Sequence, residues 1–140
     1  QHSFEQVEGL FYGSSHQFPA YPGTGSTSEK GKYANICNVP LAPGTGSSGF
    51  REAYIEVMLL AIRAFKPEML IISAGFDGHK NDPLAQLMLE TADYRWVTDQ
   101  LLDLADEVCD GRVVSMLEGG YDLDALRDSV VEHVQSLMEH

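Results

Sequence analysis

The sequence has 140 residues, about the length of one domain. Hydrophobic residues make up 44% and charged residues 21%, which is ordinary globular usage and excludes a disordered chain. Nine basic against 21 acidic residues give a net charge of −12, which argues against direct nucleic-acid binding. The acidity is uneven, since residues 1–81 hold six basic and seven acidic groups and residues 82–140 hold three and fourteen.

The two cysteines and the hydropathy limit the cellular setting. Cys37 and Cys109 are too few for a disulfide scaffold, and we expect them to be small core residues. No apolar run reaches the ~18 residues of a membrane span, and no signal peptide is visible. The chain starts at Gln1 rather than Met. We therefore expect a cytoplasmic protein, of prokaryotic source because its loops are compact.

The first 49 residues are rich in Gly, Ser, Pro and aromatic side chains. Short strands are predicted over residues 9–15 and 34–40. Residues 16–25 hold two prolines and two glycines, which exclude a regular helix or a central strand. Loops of this composition are typical of functional segments.

From residue 50 onward, helical and strand-like patterns alternate. The first predicted elements are a helix over 50–64 closed by Pro67 and a buried strand over 69–72 with a turn over 73–75. A second helix is predicted with Thr91 or Asp93 as its cap and with its end at 110–111, followed by a buried strand over 113–117 with a turn over 118–120. The last predicted element is a helix over 123–138 with Leu126, Val130, Val134 and Leu137 inward. Alternating helices and buried strands indicate an α/β fold around a parallel sheet.

In such sheets, functional residues gather in the loops that follow the carboxyl ends of the strands. Residues 75–84 and 118–123 are the two loops in question. Asp77 follows the first strand at once, where it could ligate a metal or simply cap a turn. Tyr121 follows a pair of glycines after the second strand, where its hydroxyl could bind a ligand or its ring could pack.

Four motifs occur in order along the chain: YPGTG (21–25), NVPL (38–41), SAGFD (73–77) with DPL (82–84), and LEGGY (117–121). Together they resemble the C-terminal part of the catalytic domain of the histone deacetylase family, which includes acetoin-utilisation proteins and acetylpolyamine amidohydrolases. The resemblance implies a three-layer arginase/deacetylase-like α/β fold with a mainly parallel sheet, incomplete in this chain. Residues 1–140 would then form the C-terminal portion of a single catalytic domain.

The resemblance also implies a zinc-dependent deacetylase that hydrolyses acyl-lysine amides. Asp77 would be one of two Asp and one His that bind Zn²⁺, and Tyr121 would polarise the acetyl carbonyl and stabilise the oxyanion. The implied substrate-channel positions are Tyr21, Leu84, Gly119 and Gly120. Leu84 is neutral where one polyamine-selective subgroup is acidic, which favours acyl-lysine or another neutral acyl substrate. The expected partner is an acetylated lysine in a protein or a small acetylated amine.

Structural K⁺ ions are a further implication of the resemblance. Ser14 and Ser15 match a segment that supplies ligands to one monovalent cation. A second such site would use backbone carbonyl groups, and the matching positions are Phe4, Val7 and Leu10.

The family's other zinc ligands lie in a D-x-H-H-G-N-G-T-like segment, which this chain does not contain, and a general-base His pair is also absent. We expect residues 1–140 alone neither to hold zinc tightly nor to turn over substrate, and to self-associate through exposed strand edges. The remaining histidines are interpreted as structural or peripheral: His2, His16, His79, His133 and His140. An acetylpolyamine amidohydrolase and a non-catalytic interaction module remain alternatives.

Overall fold

The structure is a computed structural model that describes residues 1–140. Its elements are β1 (Tyr12–Gln17), β2 (Ile36–Leu41), α1 (Ser47–Ala53), a π-helical turn (Tyr54–Met58), α2 (Leu59–Phe65), β3 (Leu70–Gly75), α3 (Thr91–Cys109), β4 (Val113–Gly119) and α4 (Leu123–Glu139). The predicted alternation of helices and strands after residue 50 is confirmed. No helix is both long and apolar enough to cross a lipid bilayer.

The strands form two parallel pairs. β1 pairs with β2 and β3 pairs with β4, and no ladder joins one pair to the other. The register of the second pair shifts between Ala74 and Gly75, so that Gly75 lies opposite Gly119. Because the strands of each pair are parallel, the loops after β3 and β4 leave the sheet at the same edge.

Both strands of the second pair extend further than predicted, and one of their faces is exposed. β3 alternates between half-buried and exposed residues, and Ile71 is 64% exposed. Helix α4 covers the opposite face, where His133 contacts Ser115 of β4. The prediction of fully buried strands is therefore wrong for one face, because within this chain helices cover only the other.

The helical segment between β2 and β3 contains a turn that the sequence did not indicate. Its hydrogen bonding changes from the α pattern to the π pattern over Tyr54–Met58 and then returns. Phe50, Met58 and Ile62 are buried along the segment. It ends at Lys66, whose φ of 57° is left-handed, and Pro67 follows as predicted.

Helix α3 starts at Thr91, but neither Thr91 nor Asp93, the two residues predicted to cap it, is its N-cap. Its N-cap is Glu90, and Asp93 occupies the third helical position, where its side chain reaches back to the Glu90 N–H. This is a capping box, in which each of the two side chains accepts a hydrogen bond from the backbone N–H of the other residue. Asp110 ends the helix with a φ of 51°, and Gly111 follows, as predicted.

The hydrophobic core joins β2, the helices and the loop after β3. Its buried members are Cys37, Val39, Leu41, Phe50, Met58, Leu59, Ile62, Phe76, Leu87, Leu89, Tyr94 and Leu104. Cys37 and Cys109 are both buried, which confirms their assignment as small core residues. The core thus holds the loop after β3 through Phe76.

Candidate active site

The loops after β3 and β4 touch each other at their first residues. The Phe76 N–H donates to the Gly119 carbonyl oxygen at 2.8 Å. A Cβ atom placed on Gly119 would lie 3.4 Å from the carboxyl carbon of Asp77. The Asp77 carboxyl therefore lies directly beside the backbone of the glycine pair.

A cavity of about 580 Å³ opens above these loops. Four of the six positions predicted for the active site and its channel line it: Tyr21, Asp77, Leu84 and Tyr121. Tyr21 is 99% exposed and Leu84 is also exposed. Residues separated by as much as 100 positions in the sequence thus face one cavity.

The Asp77 carboxyl is half-buried at the edge of this cavity. Burial raises the pKa of Asp77, a hydrogen bond from its own backbone opposes this, and the negative charge of Asp82 raises the pKa further. Because water solvates this carboxylate poorly, a nearby cation would stabilise its charged form. The position suits a metal ligand better than an isolated surface charge.

The predicted channel glycines lie behind the cavity rather than in its wall. Gly120 has a φ of +137°, a region that L side chains rarely adopt. A Cβ atom on Gly120 would also lie 2.8 Å from Leu126 Cδ1 and 3.1 Å from Phe76 Cβ. Glycine at position 120 lets the chain turn sharply between β4 and Tyr121.

Aromatic side chains form the inner wall of the cavity. The Tyr94 hydroxyl donates to the Phe76 carbonyl oxygen at 3.0 Å, and burial raises its pKa far above the ordinary value. The Tyr54 hydroxyl lies 3.2 Å from Ser15 Oγ, and burial raises its pKa too. Both phenols therefore stay neutral and make structural hydrogen bonds, in which Tyr94 is the donor to Phe76.

The interpretation of His133 as peripheral is wrong. Its side chain is buried, lines the cavity and lies between Thr98 and Ser115. His79 is also buried, and its Nε2 lies 3.3 Å from Thr91 Oγ1. The hydrophobic pattern of the sequence did not reveal that either histidine is buried. Both are enclosed by residues that lie further along or further back in the chain.

The predicted cation ligands are already engaged in hydrogen bonds. Ser14 Oγ lies 2.9 Å from His16 Nδ1, so His16 has the structural role expected for it. The carbonyl oxygens of the second predicted site converge on the Asn35 side-chain amide at 2.9, 3.3 and 2.9 Å; they belong to Phe4, Val7 and Leu10. A cation at this place would have to displace the Asn35 amide nitrogen from these three carbonyl oxygens. The Oδ1 atom of the same side chain is buried and has no hydrogen-bond partner.

The sequence analysis did not identify Asp82 as a residue that connects the two loops. Asp82 is buried, and its carboxylate accepts hydrogen bonds from the backbone N–H groups of Leu84 and Tyr121. The DPL motif contains it, and an Asp before Pro is a signal for a turn. Its contact with Tyr121 spans 39 residues and has no local signature.

Comparison with known proteins places this site in a family. The sequence matches the model of the histone deacetylase domain over residues 1–137. Histone deacetylase 14, chloroplastic, of Arabidopsis thaliana is 39% identical over 139 residues, which cover 97% of this chain and 33% of that protein. The histone deacetylase-like amidohydrolase of Pseudomonas aeruginosa is 36% identical over 104 residues, which cover 74% of this chain and 27% of that protein.

Solved structures agree with the sequence match. The crystal structure of the HDA15 HD domain aligns with a TM-score of 0.88 and 33% identity over 98% of this chain and 40% of that chain. The histone deacetylase Clr3 gives a TM-score of 0.90 and 30% identity over 99% of this chain and 24% of that chain. The chain spans well under half the length of these relatives, and the α/β fold is the arginase/deacetylase fold. The chain belongs to the histone deacetylase domain family.

Proposed function

We propose that residues 1–140 form the C-terminal part of a deacetylase catalytic domain that hydrolyses acetyl-lysine amides. The observation that carries the proposal is the placing of Asp77 and Tyr121 at one cavity, at the ends of two adjacent parallel strands. Family membership adds deacetylase or amidohydrolase chemistry to this geometry. The substrate would be an acetylated lysine in a protein.

The cavity supports a substrate with a long apolar stem. Tyr21 and Leu84 stand at its exposed side, while Phe76 and Tyr94 lie at its inner side. The four methylene groups of lysine are apolar and gain from contact with aromatic and aliphatic walls. Leu84 offers no charge to a cationic polyamine, which favours acetyl-lysine.

Tyr121 would act on the acetyl carbonyl. Its ring is 55% exposed at the cavity, and its side chain makes no hydrogen bond within the chain. The phenol hydroxyl is therefore available to donate to the substrate carbonyl oxygen. Donation strengthens as the oxygen gains negative charge during attack on the amide, which lowers the barrier.

Zinc is the metal that the family resemblance implies, and Asp77 is the residue that suits it here. A catalytic zinc site needs three protein ligands. The chain contains no group of three His, Cys, Asp or Glu side chains that could hold a metal ion. Residues 1–140 therefore do not fit a complete zinc site, and we infer that the remaining ligands lie outside them.

The test uses the full-length protein that contains this chain, with an acetyl-lysine peptide as substrate and zinc content measured in parallel. Tyr121→Phe removes one hydroxyl and is expected to lower kcat about 10²–10³-fold without changing zinc content. Tyr33→Phe is the matched control, because Tyr33 is exposed and does not line the cavity. Unchanged turnover in Tyr121→Phe would contradict the proposed role of Tyr121.

The same assay decides the substrate class. An acetylated polyamine offered at equal concentration is expected to give a lower kcat/KM than the peptide. A preference for the polyamine would overturn the assignment of acetyl-lysine. Absence of turnover with both substrates in a zinc-loaded protein would favour a non-catalytic module.

A further inference from the structure

The carboxylate of Asp82 links the two loops that carry Asp77 and Tyr121. Oδ1 accepts the Leu84 N–H at 2.9 Å, and Oδ2 accepts the Tyr121 N–H at 2.8 Å. Asp82 is only 8% exposed. A buried carboxylate is costly unless it is hydrogen-bonded, and here the backbone satisfies both oxygen atoms.

A turn accounts for only one of these two bonds. Asp side chains often accept the N–H two residues further on, and the bond to Leu84 has this form. The bond to Tyr121 crosses from one loop to the other, so that each carboxylate oxygen accepts a backbone N–H from a different loop. Asp82 is therefore placed as a bridge.

The loop of Asp82 is itself held rigidly. The Asp82 N–H donates to the His79 carbonyl oxygen at 2.8 Å. The buried His79 ring in turn stacks on Tyr94, with ring centroids 6.5 Å apart. The bridge therefore anchors Tyr121 to a packed part of the core. A movement of Tyr121 would have to break the bond to Asp82 or shift this core.

Tyr121 has few other restraints. Its side chain is largely exposed, and Gly119 and Gly120 precede it without side chains to pack. Glycine backbones have the greatest conformational freedom in the chain. The N–H bond to Asp82 is thus the polar contact that holds the Tyr121 backbone directly after this glycine pair.

We propose that Asp82 is a positioning residue that holds the Tyr121 backbone so that its hydroxyl meets the substrate carbonyl. This inference rests on the proposed function and deepens it. Asp82 also holds the Leu84 backbone, so one side chain sets the channel wall and the carbonyl donor together. Small misplacements of a catalytic group can cost about 100-fold in rate.

The test is Asp82→Asn in the full-length protein, which keeps the side-chain shape and can still accept the Leu84 N–H. The amide has one acceptor oxygen instead of two, so it can accept only one of the two N–H groups. We expect it to keep the local turn bond to Leu84 and to lose the bond to Tyr121. We expect kcat for an acetyl-lysine peptide to fall about 10- to 100-fold, with KM and zinc content nearly unchanged. Asp103→Asn is the matched control, because Asp103 is exposed on α3 and does not line the cavity.

A double-variant cycle separates positioning from general stability. If Asp82 acts through Tyr121, Asp82→Asn has little further effect on kcat once Tyr121→Phe is present. An equal loss of kcat in both backgrounds would overturn the proposal, as would unchanged kcat in the single variant. Should Asp82→Asn fail to fold by thermal unfolding, Asp82→Ser keeps a short acceptor for Leu84 and takes its place.

Hydrogen exchange gives a readout that does not depend on activity. In the full-length protein, the Tyr121 amide is expected to exchange at least about tenfold faster in Asp82→Asn, while the Ala125 amide keeps its rate. Equal exchange of the Tyr121 amide in both proteins would overturn the bridge. Faster exchange of the Tyr121 amide in Asp82→Asn, together with no turnover in the unmodified full-length protein, would uphold the bridge and reject the proposed function instead.

Discussion

At the scale of single residues, His133 shows how three elements meet in one polar contact. Thr98 Oγ1 donates to the Tyr94 carbonyl oxygen at 2.6 Å, so its oxygen accepts from His133 Nδ1 at 2.7 Å. Ser115 then donates to His133 Nε2 at 2.8 Å. A neutral imidazole satisfies this arrangement completely, and burial lowers the pKa of His133.

Stability is therefore expected to fall as the solution becomes acidic. The unfolded chain takes up a proton on His133 near the ordinary pKa of about 6.5, while the folded chain resists until a lower pH. The contribution of His133 is complete above pH ~6.5 and is lost progressively below it.

Thermal unfolding of residues 1–140 between pH 5 and 8 measures this effect. His133→Gln should flatten the fall of Tm below pH ~6.5 relative to the unmodified chain. His2→Gln is the control, because the His2 side chain is 73% exposed. A pH profile that His133→Gln leaves unchanged would contradict the role of the buried imidazole.

At the scale of elements, the buried face of α4 explains why its orientation was predicted only in part. Leu126 and Val130 pack against the core as predicted, but other residues are the most buried. Small and polar residues form that face: Ala125, Ser129, His133 and Ser136. Val134, which was predicted to point inward, is exposed. Small side chains let α3 and α4 approach closely, and a hydrophobic pattern weights such residues least.

The start of α3 depends on a buried carboxylate. Asp93 is fully buried and accepts hydrogen bonds from Ser47 at 2.6 Å, Arg51 at 2.8 Å and the Glu90 N–H at 2.9 Å. It thus ties the start of α1 to the start of α3. Removing such a group leaves several donors without partners.

Asp93→Asn is expected to lower the free energy of unfolding by about 2 kcal/mol, since Arg51 is partly exposed and stays solvated. Denaturant unfolding of residues 1–140 measures the change. Asp103→Asn removes an exposed charge from the same helix and should change stability by less than about 0.5 kcal/mol. Equal effects of the two substitutions would contradict the importance of the capping box.

The sequence analysis succeeded where the signal was local. Asp77 and Tyr121 each follow a strand and a glycine-containing turn, and these patterns placed both residues correctly at the sheet edge. The Asp82 bridge and the burial of His133 arise only when distant segments pack. No periodicity in the sequence encodes a contact that spans 39 residues, such as the one between Asp82 and Tyr121.

At the scale of the whole molecule, one face of the β3–β4 pair is left open. Ile71, Val114 and Met116 are all exposed on it, and the two strand pairs are not joined by a ladder. Exposed apolar strands are prone to associate with other chains. The charge of −12 opposes this association but lies mainly outside the face, since residues 70–75 and 113–117 carry no charge.

Residues 1–140 are expected to self-associate as concentration rises, because this face is apolar. Sedimentation velocity should show a growing mean sedimentation coefficient, and the pair Ile71→Lys and Met116→Lys should reduce it. The control pair Val131→Lys and Val134→Lys adds the same charge to exposed positions of α4. Equal suppression by both pairs would attribute the effect to net charge rather than to the open face.

The π-helical turn between α1 and α2 gives this fold a place where chain length can change. A π turn closes its hydrogen bonds over one more residue than an α turn does, so losing one residue there would restore a continuous α-helix. The packing of Phe50 before the turn and of Ile62 after it could then persist. Elsewhere in a helix, the same loss would rotate every later side chain away from its contacts. Insertions and deletions among related chains are accordingly expected to concentrate at Tyr54–Met58 rather than within α3 or α4.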